Sequence, residues 1–167
     1  GIDHFAKPED SMARAQRAGT LKRNFQGYTD DPATVLIGLG ASSISRFPQG
    51  YAQNASGTAD HTRAIREGRF STHRGHPYAG EDRLRARMIE GLMCDFRLSR
   101  AELLRDFDTT EERLETLFQA ARSEFGEMVQ VTGDGFVIPE GARPLTRMIA
   151  RAFDAYDQAK AKHSAAI

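Results

Sequence analysis

The sequence predicts an α+β protein in two unlike parts, and three features carry that prediction. Residues 35–45, Val-Leu-Ile-Gly-Leu-Gly-Ala-Ser-Ser-Ile-Ser, form a short apolar run closed by glycine, the pattern of a strand buried on both faces. From Glu81 onward, Leu84, Met88, Leu92 and Phe96 recur at helical spacing, and Ile89 and Met93 widen the stripe. Near the end, Gly133-Asp134-Gly135 parts two β-prone runs, 128–132 and 136–138, which is a strong hairpin signal.

The bulk numbers bound the function classes. A chain of 167 residues suits one medium domain or two small ones and can bury a core without staples. With 23 basic and 23 acidic residues it has no bulk attraction for phosphate backbones or anionic membranes. No apolar run approaches the roughly 20 residues of a membrane span, and no signal-peptide layout is present, so the expected address is the cytoplasm. The single cysteine, Cys94, excludes an internal disulfide and any multi-cysteine cluster made by one copy. The chain opens on Gly1-Ile2 without Met or a capping signal, which reads as a piece of something longer.

In chain order, residues 2–5 read as a short extended segment. Lys7-Pro8 opens a helix with Glu9 and Asp10 near its positive end, stopped at Gly19. Residues 21–28 are extended or loop, and Thr29-Asp30-Asp31-Pro32 is a turn by composition. After the run at 35–39 comes a second turn, Phe47-Pro48-Gln49-Gly50, and then a helix from Asp60 to Glu67 ended by Gly68. Residues 68–80 hold three glycines, Pro77 and two histidines without periodicity, and mark a boundary between domains at 1–70 and 71–167. The second domain has a long helix over 81–96. Two capping boxes, Ser99 to Glu102 and Thr109 to Glu112, each start a further helix. Pro144 opens a last helix with Met148, Ile149, Ala152, Phe153 and Tyr156 on one face, and residues 159–167 fray.

Three helices and a hairpin in this order make a winged helix-turn-helix. Charge argues against DNA. The candidate recognition helix carries Glu111, Glu112, Glu115 and Glu124 against Arg113 and Arg122, four acids to two bases or a net of about −2. A packing role is the stronger reading.

The candidate chemistry is thin. His73-x-x-His76 sits in a glycine-proline stretch and reads as a surface loop. Cys94 reads as a buried small hydrophobe. Ser42, Ser43 and Ser45 lack the elbow context of hydrolases, and Gly38-Leu39-Gly40 lacks the third glycine of a dinucleotide fingerprint. Asp3-His4 is a charged pair at a strand end, with a structural histidine as the plainer alternative. The glycine-closed run, flanked by Asn24-Phe-Gln-Gly-Tyr-Thr29 and Tyr51-Ala-Gln-Asn54, is read either as a wall of a ligand site or as a core strand with well-packed turns. From the residues alone, the chain is part of a ligand-binding α/β domain plus an α+β module.

Those two blocks, with Gly1-Ile-Asp-His-Phe-Ala-Lys-Pro8 and Gly38-Leu-Gly-Ala-Ser-Ser-Ile-Ser45, closely resemble blocks of the oxygen-independent coproporphyrinogen III oxidases, in the same order and at about the same spacing. From Glu81 onward, including Cys94-Asp-Phe-Arg-Leu98, the chain resembles that family's C-terminal domain. Phe47-Pro-Gln-Gly50 departs from the family's usual form. The resemblance implies the last strands and helices of a partial β/α barrel followed by a mostly helical, winged-helix-like domain with one hairpin.

It also implies a radical S-adenosylmethionine enzyme of heme biosynthesis, in which two propionates of coproporphyrinogen III are oxidatively decarboxylated to vinyl groups, giving protoporphyrinogen IX. In that chemistry a 4Fe-4S cluster reduces S-adenosylmethionine, hydrogen is taken from the propionate β-carbon, and carbon dioxide and one electron leave. The family's Cys-x-x-x-Cys-x-x-Cys motif is absent, so this stretch alone is expected to bind no cluster or other cofactor and to be inactive. By the same resemblance Ile44 falls where one S-adenosylmethionine is contacted, and Phe25 and Gln26 line the active site. The expected partner is the porphyrinogen, with no nucleic acid, no membrane and no identified electron donor. The rivals are a heme-handling relative of the same family and an autonomous winged-helix interaction module.

Overall fold

The computed structural model describes residues 4–156. The architecture is α+β. The chain begins with α1 (Ser11–Ala18), capped by the Asp10 carboxylate, which accepts from the Met12 N–H at 2.9 Å. Gly19 ends α1 in the left-handed conformation (φ 68°). Pro8 lies in the preceding turn rather than in the helix, because Asp10 is the first side chain able to take a free amide. Residues 1–3 and 157–167 lie outside the described residues, so half of the expected strand at 2–5, Asp3 of the charged pair and the fraying tail fall there; His4 and Phe5 are not in a strand.

A hairpin follows, β1 (Lys22–Asn24) against β2 (Gly27–Thr29). Its two-residue turn is tied by the Asn24 side chain, whose oxygen accepts from the Gln26 and Gly27 N–H groups at 2.8 and 3.2 Å. Next, β3 (Ile44–Phe47), β4 (Gly50–Asn54) and β5 (Thr72–Pro77) form an antiparallel sheet in the order β3-β4-β5. The predicted turn 47–50 joins β3 to β4, and α2 (Thr58–Arg66) joins β4 to β5.

Two expectations are corrected here. Residues 35–39 are not a strand buried on both faces. Leu36 makes one antiparallel bridge to Arg46, while Ile37 and Leu39 are 67% and 87% exposed. The run lies along the free edge of β3, and no described element covers its other side. Residues 68–80 are not an aperiodic loop either. They contain β5, whose pairing with β4 keeps the sheet going to Pro77. Its alternation was hidden because its side chains are mostly exposed, leaving no apolar period to read.

The second half is built on α3 (Asp82–Asp95), α4 (Arg100–Asp106) and α5 (Glu111–Phe125), with a sheet ordered β6-β8-β7. In that sheet β6 (Arg97–Ser99) precedes α4, and β7 (Gln130–Thr132) and β8 (Gly135–Val137) form the predicted hairpin. This is the winged-helix arrangement. Its core joins Met88 and Leu92 of α3 to Leu114 and Phe118 of α5, with Phe136, Ile149 and Phe153. The rings of Phe136, Phe118 and Phe153 meet with centroids 5.4 to 6.5 Å apart.

Ser99 caps α4, accepting from the Glu102 N–H at 3.3 Å as the first capping box requires. The second box is shifted by one residue. Thr110, not Thr109, caps α5 through the Arg113 N–H, and the Thr109 hydroxyl is buried without a hydrogen bond. Pro144 sits inside a 3-10 turn, Glu140–Leu145, that leads into α6 (Thr146–Arg151). Of the predicted inner face of that helix, Ile149 and Phe153 are buried, while Met148 and Tyr156 are exposed.

Candidate functional site

The two halves are stitched along α3. The Arg23 N–H donates to Glu90 at 3.3 Å, and the Tyr28 hydroxyl donates to the Met93 carbonyl at 3.0 Å. Beneath them Ala15, Leu21 and Cys94 form a small apolar cluster. Cys94 is therefore packing, and burial pushes its thiol up to about 12. Farther along, the Tyr156 hydroxyl donates to Asp82 at 2.8 Å and His76 Nε2 lies 3.4 Å from the same carboxylate.

Between these seams opens a cleft of about 780 Å³. One wall is a row of rings meeting edge to face: Phe25 on Tyr51 (4.9 Å), Tyr51 on Tyr78 (5.3 Å), and His76 on Tyr156 (4.9 Å). His76 and Tyr78 connect the two ends at 6.5 Å. Burial and a hydrogen bond with Tyr51 hold the Tyr78 phenol well above its ordinary pKa, so it stays protonated. The backbone amide of Ala79 and the Tyr156 hydroxyl hold the Asp82 carboxyl below its ordinary range, against the opposing effect of burial. Arg23 and Arg46 also line the cleft, Arg46 beside Tyr51.

The three site residues expected from the resemblance have different surroundings. Phe25 lines the cleft, 53% exposed, at the tip of the β1–β2 turn. Gln26 is beside it and exposed. Ile44 is half-buried at the start of β3, opposite Gln53 of β4, and is not a lining residue of this cleft.

The glycine loop before Ile44 explains much of the surrounding sequence. A Cβ on Gly38 would lie 2.9 Å from the Ile44 backbone, so the second backbone comes close only because residue 38 has no side chain. Gly40 has φ 96°, which favours glycine, and open space where a Cβ would stand. The Asn54 amide donates to the carbonyls of Gly38 and Gly40 at 3.3 and 3.0 Å, and the Gln53 amide donates to the Ser42 carbonyl at 2.9 Å. The amides of the 51–54 block thus brace the loop, while its Tyr51 faces the cleft.

His73 and His76 lie on β5, and only His76 reaches the cleft. Among the described residues no group of three His, Cys, Asp or Glu side chains is placed to hold a metal ion. A 4Fe-4S cluster takes several thiolates; a chain with one cysteine, buried in α3, does not fit it. The aromatic row escaped sequence reasoning because its members come from four segments; only the aromatic content of blocks 24–29 and 51–54 pointed to it.

The arrangement is a winged-helix unit closing a cleft against a small, open-edged sheet. It superimposes with a TM-score of 0.86 on the solved structure of coproporphyrinogen III oxidase from Escherichia coli, described as a radical SAM enzyme, at 33% identity over 94% of this chain and 37% of that one. In sequence the chain matches, from end to end, the C-terminal part of the oxygen-independent coproporphyrinogen III oxidases. It is 60% identical to the Paracoccus denitrificans protein of that name over 167 residues, the whole of this chain and 37% of the relative. It is 60% identical over 157 residues to the one from Cereibacter sphaeroides, 94% of this chain and 35% of the relative. The Pseudomonas aeruginosa protein is 35% identical over 158 residues. No family model matches the chain. The chain thus spans little more than a third of the length of these curated relatives.

Proposed function

We propose that this chain forms the closing wall and C-terminal domain of an oxygen-independent coproporphyrinogen III oxidase, whose activity requires the remaining part of the relatives' length. The observation that carries this reading is 60% identity across the whole chain to proteins bearing that name. The substrate is then the porphyrinogen, two of whose propionates lose carbon dioxide and become vinyl groups. S-adenosylmethionine and a 4Fe-4S cluster, bound by the complete enzyme, supply the radical chemistry. The cluster's ligands come from the part of the relatives beyond this chain, because one cysteine cannot provide them.

This chain's own residues bind and shield. Ile44 packs against S-adenosylmethionine, and Phe25 and Gln26 line the space above it. The aromatic row supplies ring surface for the macrocycle, and the winged-helix unit closes the cleft and keeps water from it. The barrel part and the closing part correspond to the expected domains at 1–70 and 71–167, except that β5 (Thr72–Pro77) pairs with β4 and so belongs with the barrel part. The exposed edge at 35–39 receives the rest of the barrel. No helix among the described residues is long and apolar enough to cross a membrane, and a cytoplasmic location is part of this proposal. Nucleic acid is not a partner: Glu111 and Glu115 of α5 are tied to Arg100 at 2.9 and 2.7 Å, so these charges serve internal packing.

The test supplies the N-terminal part of the Paracoccus relative, fused or in trans, and reconstitutes the assembly anaerobically with iron, sulfide and S-adenosylmethionine. Protoporphyrinogen formation is expected from the assembly, and neither iron loading nor product from the chain alone. Heme binding without product would favour the heme-handling relative instead.

A further inference from the structure

We propose that Arg46 and Arg23 seat a carboxylate of the ligand in the cleft, making this side its anion-recognising end; the assignment rests on the porphyrinogen reading above and gives that site a residue-level contact. Of the five arginines that line the cleft, Arg83 is exposed, and the other four fall into two groups. Arg85 is committed to Glu81 at 3.0 Å and to the Phe153 carbonyl at 3.0 Å. Arg87 is committed to Glu102 at 2.7 Å and Glu90 at 3.6 Å. Arg46 and Arg23, by contrast, have no carboxylate partner among the described residues.

Arg46 reaches only the carbonyls of Arg23 and Ala33, at 3.5 and 3.3 Å, which are long contacts. Arg23 sits over the Tyr28 ring at 5.9 Å, and its Nε is buried without any hydrogen bond. Arg23 keeps a buried donor without a partner and Arg46 has only neutral carbonyl partners at long range; a partly buried cation without a counter-charge is costly, and an arriving anion removes that cost. Arginine is the side chain whose planar fork fits a carboxylate with two parallel bonds.

Strand pairing sets the seat beside the wall. Arg46 is directly opposite Tyr51 in the β3–β4 register, and Tyr51 is the ring between Phe25 and Tyr78. The charge of Arg46 also acts on the Tyr78 phenol. A ligand that is flat and apolar in its body and carboxylated at its rim satisfies both surfaces at once.

The test titrates the 167-residue chain into coproporphyrin III and, separately, into its tetramethyl ester, following porphyrin fluorescence. Wild type is compared with Arg46→Gln, Arg23→Gln, the double variant and Arg46→Lys, each checked by thermal melting. Wild type should bind the acid more tightly than the ester. Each glutamine variant should weaken acid binding about tenfold and leave ester binding unchanged, as expected for loss of a charge-assisted hydrogen bond. Arg46→Lys should fall between, and it carries the test for that position if Arg46→Gln fails to fold. Equal binding of acid and ester, unchanged by every variant, would overturn the carboxylate seat and leave the porphyrin reading standing. Binding of neither probe by wild type would overturn both.

Discussion

Replacing Ile37 and Leu39 together with aspartate should leave the isolated chain as stable as before and cripple its association with the N-terminal part of a relative. Both side chains already face solvent, 67% and 87% exposed, so the isolated fold loses almost nothing. A change within about 0.5 kcal/mol is expected, as for ordinary surface sites. Covering a side chain of this size contributes about 1.5–3 kcal/mol, and scaling by the two exposures gives about 2–5 kcal/mol for the pair. That corresponds to roughly 30- to 5000-fold in affinity, before the cost of burying the two new carboxylates. The assay titrates a fluorescently labelled chain with the N-terminal part of the Paracoccus protein and reads anisotropy, with thermal melts of both variants alongside. Affinity within threefold of wild type would refute the assignment of this edge as the barrel seam. A large drop in the melting temperature of the isolated chain would refute the exposure on which the estimate rests.

Other expectations concern the fold that carries the site. Phe136→Ala removes the central ring of the Phe118–Phe136–Phe153 cluster, where it is fully buried, and should cost about 3–5 kcal/mol by denaturant titration. Hydrogen bonds from Arg113, and secondarily from Arg85, hold the Glu81 carboxyl down at about 2 against a usual value of 4.5. A carboxylate lowered on folding stabilises above its unfolded pKa and loses that contribution as pH falls through the folded one. Stability should therefore decline between pH 4.5 and about 2, more shallowly in Glu81→Gln, in acid unfolding followed by circular dichroism. Gly38→Ala forces a Cβ to within 2.9 Å of the Ile44 backbone and should cost about 1–3 kcal/mol, with faster amide exchange at Leu36 and Arg46.

The helices of the second half were legible because their signals are local. Leu84, Met88 and Leu92 recur at helical spacing, Ser99 caps its own helix, and Gly133-Asp134 makes a turn from two adjacent residues. The resemblance pointed to Phe25, which lines the cleft, and to Gln26 and Ile44, which are not among its lining residues. The strands of the first half were less legible. The apolar run at 35–39 has the composition of a buried strand, yet burial depends on a neighbour, and Ile37 and Leu39 stay exposed among the described residues. β5 was missed because a mostly exposed strand leaves no hydrophobic period in its sequence. Thr109 and Thr110 offer the same hydroxyl, and only the path of the backbone into α5 chooses between them.

The sequence by itself determined the class of the fold, the order of the second-half helices, the hairpin and the relatives these residues resemble. Tertiary structure alone decided which charges are spent and which are free. Arg85 and Arg46 are chemically identical, but α3 carries the first beside Glu81 while β3 carries the second beside a wall of rings, where it has no carboxylate partner among the described residues. Helix periodicity and capping act between residues a few positions apart and can be read along the chain. The cleft is assembled from residues scattered from Lys22 to Tyr156, and only the folding that brings them together makes it a site.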